Sequence, residues 1–176
     1  MKPARGFTPI ERTTVHIYCR RHWLVSWVND PLRFFQSLQM IVPWGTILCF
    51  EGYHEALDPE EVSGWARETR QFRKFLRSFA TKRRINLLPD SKGAWSEQIE
   101  FKKSFAESYQ RFIREHFRGQ RFAHLAAYSR KGEMLFWFHD AFTGGDLAIH
   151  SGLRASRLRG FCAQLGPQFQ VTAATC

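Results

Sequence analysis

The chain is poor in the features that usually announce a function. Its four cysteines, Cys19, Cys49, Cys162 and Cys176, form no CxxC pair and no close spacing. That argues against a zinc ribbon or a compact disulfide framework and fits reduced thiols in a cytoplasmic protein. Nowhere do about 18 apolar residues run together, and the opening MKPARGFTPIERTT has no apolar stretch behind its charges. Neither a membrane span nor secretion is expected. A P-loop, a GxSxG elbow, a dinucleotide GxGxxG and an internal repeat are all missing, which argues against several common enzyme classes.

Acid is scarce in two places. Of 26 Lys and Arg and 16 Asp and Glu, residues 67–84 hold eight basic residues and one Glu, and residues 147–176 hold three Arg and no acid. These two segments account for the whole net charge of +10. Charge this uneven favours a polyanionic partner over solubility as its explanation.

Aromatic residues, by contrast, are plentiful: 15% of the chain, with 17 Phe and 6 Trp. A chain of 176 residues is about one domain and buries roughly 70% of its unfolded surface. The strongest local pattern runs from 58 to 84. Val62, Trp65, Thr69, Phe72, Leu76 and Phe79 recur at helical spacing, with Asp58 as cap and Pro59 at the first helical position. Arg67, Arg70, Lys74, Arg77 and Arg84 form a stripe nearly opposite, so the helix has an aromatic face to bury and a cationic face to expose.

Taken in order, residues 1–12 read as a flexible or extended arm, and TVHIYC at 14–19 with WLVSWV at 23–28 reads as a hairpin. Asn29-Asp30-Pro31 starts a short helix that ends before Pro43, and TILCFE at 46–51 is a buried strand. Ser96 is placed to cap a second long helix carrying Phe101, Phe105, Tyr109, Phe112 and His116 up to Gly119. The period then changes to two. RFAHLAAY, EMLFWFH and LAIH, separated by SRKG and TGGD, form a three-strand meander. A short helix follows from Ser151 to Gly166-Pro167, and QFQVT returns as a strand. The expected fold is one α+β domain: a mainly antiparallel sheet, hairpin plus meander, packed by two long aromatic-faced helices and two shorter ones.

Pairing Tyr128 with Glu133 puts Leu125, Ala127, Met134, Phe136 and Phe138 on one face of the meander. Phe122, His124, Tyr128, Trp137 and His139 then share the other. There His124 and His139 offer an acid and base pair, because imidazole titrates near neutral pH. Phe122, Tyr128 and Trp137 offer an aromatic platform for bases. Glu51, His54, Glu55 and Asp58 are ligand types for a divalent ion, yet a single ExxH outside a helix reads as a polar loop before a helix start, and no metal site is expected. Pro89-Asp90 with Glu100-Phe101-Lys102 resembles the PD-(D/E)xK signature of metal-dependent nucleases. The second half falls inside the expected helix, where residues two apart do not face each other, so the pattern is set aside.

Arg157-Leu158-Arg159-Gly160-Phe161-Cys162, following a meander, resembles the acyl-coenzyme A loop R/Q-x-x-G-x-G/A of GNAT-type acetyltransferases, with Cys162 where Gly or Ala is expected. The resemblance implies coenzyme A held at Arg157, Arg159 and Gly160. The leading expectation needs no cofactor. It is a nucleic-acid-binding protein with phosphate contacts from Arg67, Arg70, Lys74, Arg77, Lys82, Arg83 and Arg84, a second patch at Arg154, Arg157 and Arg159, and DNA or RNA as partner. Cleavage by His124 and His139 would extend that reading. The third alternative is an interaction module, an inhibitor or assembly factor, whose basic helix meets an acidic protein.

Overall fold

A computed structural model describes residues 22–26, 28–52, 62–82, 95–116, 122–143, 145–166 and 171–174. Strand β1 (His22–Val25) is followed by helix α1 (Pro31–Ser37), a 3-10 turn at Leu38–Met40, strand β2 (Ile47–Gly52) and helix α2 (Val62–Ser78). Then come β3 (Trp95–Glu100), α3 (Lys103–His116), the meander β4 (His124–Tyr128), β5 (Met134–Phe138) and β6 (Leu147–His150), α4 (Ala155–Leu165) and β7 (Val171–Ala174). The strands make one seven-stranded sheet in the order β3-β2-β4-β5-β6-β1-β7, antiparallel at every pairing. The fold is a single α+β domain, as the alternation of patterns predicts. No helix among the described residues is long and apolar enough to cross a membrane.

Local chemistry explains several boundaries. Asp30 caps α1 by accepting from the Arg33 amide at 3.0 Å, with Pro31 in the first turn. Gly166 ends α4 with a left-handed φ of 126° and donates its amide to the Cys162 carbonyl. The SRKG turn closes through the Ser129 amide on the Glu133 carbonyl, with Gly132 at φ 83°. The expected cap Asp58 and the expected partner strand at 14–19 lie outside the described residues. Within the sheet, β1 is flanked by β6 on one edge and β7 on the other.

One element differs in kind from expectation. Residues 95–100 are a strand, and the helix starts only at Lys103. Trp95, Glu97 and Ile99 alternate with Ser96, Gln98 and Glu100, and the first set is buried. Phe101 fits both the period of two behind it and the period of four ahead, which is how a helical spacing extends backward over a strand. Glu97 also hides the alternation, because a charged residue stands where the core-facing pattern calls for an apolar one.

All four helices pack on one face of the sheet and build one large core. Helix neighbours are fixed by rings. Phe75 of α2 lies 4.4 Å from Phe112 of α3, Tyr109 of α3 lies 4.2 Å from Phe35 of α1, and Phe34 of α1 lies 5.8 Å from Phe161 of α4. The helix layer therefore runs α2, α3, α1, α4. Phe50 on β2 touches Phe35, Phe72, Phe105, Tyr109 and Phe122. Helix α2 is also held to the edge strand by charge. Glu97, buried, receives Arg77 Nε at 2.7 Å and Arg73 Nη2 at 3.5 Å, and the Arg73 guanidinium lies 5.2 Å from the Trp95 ring centre.

Phe50 is fully buried and shared by three helices, so Phe50→Ala should cost about 3–5 kcal/mol through lost burial and an unfilled cavity. Urea unfolding followed by far-UV circular dichroism measures this; a loss below about 1 kcal/mol would mean the rings repack without it.

Candidate functional site

The outer face of α2 carries Arg67, Arg70 and Lys74, all exposed, and Lys82 is exposed just beyond the helix. Arg83 and Arg84 lie outside the described residues. Helix α2 divides its cations by task. Arg73 and Arg77 turn to Glu97, while Arg67, Arg70 and Lys74 have no carboxylate within ion-pair distance among the described residues. Their spacing of three and four places like charges side by side, a local repulsion of about 0.2–0.5 kcal/mol per pair.

The second basic patch stands apart from the first. Arg154, Arg157 and Arg159 are exposed, at the start of α4 and along it, and α3 and α1 lie between α4 and α2. Arg157 Nη2 is committed to the Gln39 carbonyl at 2.9 Å. The two segments therefore do not form one continuous footprint. The acyl-coenzyme A reading meets a further difficulty. Arg157–Gly160 lies inside α4, not in a loop before it. Its amides serve the helix: those of Arg157 and Leu158 already donate to the Arg154 carbonyl. No row of free backbone donors is left there for a pyrophosphate.

On the opposite face of the sheet from the helices, Cys49, Ala126, Tyr128, Met134, Trp137 and Ala148 form a second, smaller buried cluster, with Leu24 packed against it. The meander's register explains its membership. Leu125 pairs with Phe138, Ala126 with Trp137 and Ala127 with Phe136, after which a bulge shifts the ladder so that Tyr128 meets Met134. Leu135 is the extra residue, and it reverses the alternation. Met134 consequently joins Tyr128, contrary to the expected pairing with Glu133. Phe122 also changes sides and packs against Phe50 and Phe72 under the helices. With Phe122, Tyr128 and Trp137 all buried, the expected aromatic platform has no open ring face. Among the described residues, Trp44 is the large apolar side chain that is exposed, resting 4.6 Å from the Phe101 ring.

At one end of this second face sit the two histidines. Glu51 of β2 pairs with Ser96 on one side and His124 on the other, and the Leu125–Phe138 pair sets His124 beside His139. The imidazoles stack nearly parallel, with centroids 4.6 Å apart and an interplanar angle of 10°, and Trp137 continues the series 5.5 Å from His124. Asp140 adds a carboxylate that the sequence pattern does not single out. Its amide donates to His124 Nδ1 at 3.2 Å, and its oxygens lie 3.3 Å from His139 Nε2 and 3.9 Å from His124 Nδ1. An accepting Nδ1 places the proton of the neutral His124 ring on Nε2. The turn that holds Asp140 is strained: Asp140 has φ 40° and Phe142 φ 67°. Gly145 closes it so tightly that a Cβ there would collide with the His139 carbonyl oxygen. His139 Nδ1 and Trp137 Nε1 are buried without a hydrogen-bond partner among the described residues. Two rings this close leave no room for a substrate between them, so they can address one only from the same side.

Around the PD-(D/E)xK pattern the structure also differs from expectation, because Glu100 ends a strand and the helix expected to hold it apart from Lys102 begins only at Lys103. Lys102 Nζ reaches Glu100 Oε2 at 2.9 Å, and Arg130 Nη2 reaches Oε1 at 3.3 Å. The hydrogen bond from Lys102, then its charge and that of Arg130, hold the Glu100 carboxyl below its ordinary range against partial desolvation. Two cations thus occupy the carboxylate that a magnesium site would need, and Asp90 lies outside the described residues.

Comparison with family models, with curated proteins and with solved structures finds no significant match to this chain. Its function is therefore to be read from its own residues.

Burial first, and His139 second, push the His124 pKa from 6.5 down to about 4, with Asp140 pulling the other way; burial also lowers that of His22. Between those values the unfolded chain binds more protons than the folded one. Stability is therefore full above about pH 6.5 and is lost as pH falls, by about 3 kcal/mol for His124 once both states are protonated. Urea midpoints at pH 7 and pH 4.5 should show this loss, and His124→Asn, which can still accept from the Asp140 amide, should flatten it. An unchanged pH slope in that variant would assign the effect to other groups.

Proposed function

We propose that this protein binds nucleic acid through phosphate contacts from the outer face of α2, centred on Arg67, Arg70 and Lys74. The observation that supports the reading is the division of cations on that helix. Arg73 and Arg77 dock α2 on Glu97, whereas three neighbouring cations stand exposed without an acidic partner among the described residues. Such a row carries mutual repulsion that a line of phosphates relieves, and it offers the spaced point charges that backbone binding uses. Lys82 extends the row at the carboxyl end of the helix. Arg154 and Arg159 supply a separate patch at α4, suited to a second segment of the same polymer. No base-reading group is identified, so binding is expected to depend on charge more than on sequence.

Fluorescence anisotropy with labelled duplex DNA and single-stranded RNA across a salt series tests the proposal. Affinity should fall steeply with salt. Changing Arg67, Arg70 and Lys74 together to Gln should lower the logarithmic salt slope by about 3, one for each lost phosphate contact. Substitution of Arg154 and Arg159 should have the smaller effect. A salt-independent affinity, or an unchanged slope in the triple variant, would overturn the reading and direct attention to an acidic protein partner.

A further inference from the structure

We propose that His124, His139 and Asp140 form a binding site for a first-row divalent cation of the zinc class, a site the sequence pattern alone does not announce. Each residue offers one ligand atom, and these atoms all lie within 4.8 Å of one another. A tetrahedral ion with bonds of about 2.1 Å holds neighbouring ligand atoms about 3.4 Å apart. Here His139 Nε2 and Asp140 Oδ2 are 3.3 Å apart, and His124 Nδ1 and Asp140 Oδ1 are 3.9 Å apart. These contacts are made by different oxygens of Asp140, so its carboxylate must turn for one oxygen to serve both of these edges of the ligand triangle, within the 4.8 Å that spans the three ligand atoms.

The third requires a ring to turn, because metal bonds lie in the imidazole plane and the two rings are nearly parallel. His139, 38% exposed against 15% for His124, is the ring freer to turn. His124 must also exchange the Asp140 amide, a long hydrogen bond of 3.2 Å, for the cation. The backbone favours this set of ligands. Asp140 lies at φ 40°, and that conformation brings its carboxylate back towards both imidazoles. Two imidazoles and one carboxylate suit zinc, cobalt or nickel better than magnesium, which prefers oxygen and retains its water. His139 and Asp140 are both partly exposed, leaving a coordination position open to water, as in sites that do chemistry. The site lies on the sheet face opposite the helix layer, so it is independent of the nucleic-acid reading.

Chelator-treated protein should be titrated with zinc(II), cobalt(II) and magnesium(II), with melting temperature and visible absorption as readouts. Zinc should raise Tm by about 5–10 °C at a hundredfold excess over Kd. Cobalt should give the visible bands of a tetrahedral site, and magnesium should do neither. Both effects should vanish in His139→Ala and in Asp140→Asn, a change that keeps a residue tolerant of the left-handed turn. Far-UV circular dichroism checks that each variant is folded. No rise with zinc, or a rise that either folded variant retains, would overturn the site.

Discussion

Phe50 occupies the point at which sheet and helices must agree. Its strand pairs with β3 on one side and β4 on the other, and its ring meets residues from α1, α2 and α3 and from the segment before β4. Rings are large and rigid, and they prefer edge-to-face or offset contact. A core made of them fixes the helices in one order once the central ring is seated. That core also gathers most of the described aromatic residues on one side of the sheet. The other face receives a smaller cluster built from Cys49, Tyr128, Met134, Trp137 and two alanines, and its end carries polar groups.

Helix α2 shows how one basic segment meets two demands. A buried carboxylate is costly unless paired, and Glu97 is paired twice, by Arg77 and Arg73. Both arginines keep contact with water, so the desolvation cost falls mainly on the glutamate. The arrangement specifies where α2 sits on the edge strand, with Arg73 over Trp95 fixing the angle. The remaining cations on the outer face contribute nothing to that docking. Their separation from the docking pair is what permits a surface reading of them at all, since a cation already bound to a carboxylate has little left to offer a phosphate.

The parts of the fold that are legible in the sequence are those in which one period dominates. The aromatic stripe of α2, the Asp30-Pro31 start of α1, the strand at 47–52 and the three strands of the meander all follow their patterns. Strand β3 does not, because Glu97 breaks its apolar alternation and Phe101 belongs to two periods at once. The faces of the meander are half legible. His124 does neighbour His139, but a bulge at Leu135 moves Met134 across the sheet, and no residue type marks a bulge in advance. Asp140 is invisible as a site residue because its role depends on a left-handed φ, a property of the turn and not of the local composition. The separation of the two basic patches depends on helix order, which follows from ring contacts between residues far apart in the chain.

That helix order also bears on whether one polymer could be gripped and cut by this protein. The cationic row lies on the outer side of α2, and the histidines lie on the far face of the sheet beneath it. A helix is about 10–12 Å across, so the two are separated by the full thickness of a helix layer and a sheet, roughly 15–20 Å. A duplex held against α2 would present its phosphates to solvent on the side away from the histidines. The exposed cations of α2 and the histidine–aspartate cluster therefore lie on opposite sides of the molecule. The rigid aromatic core that orders the helices is what keeps them apart.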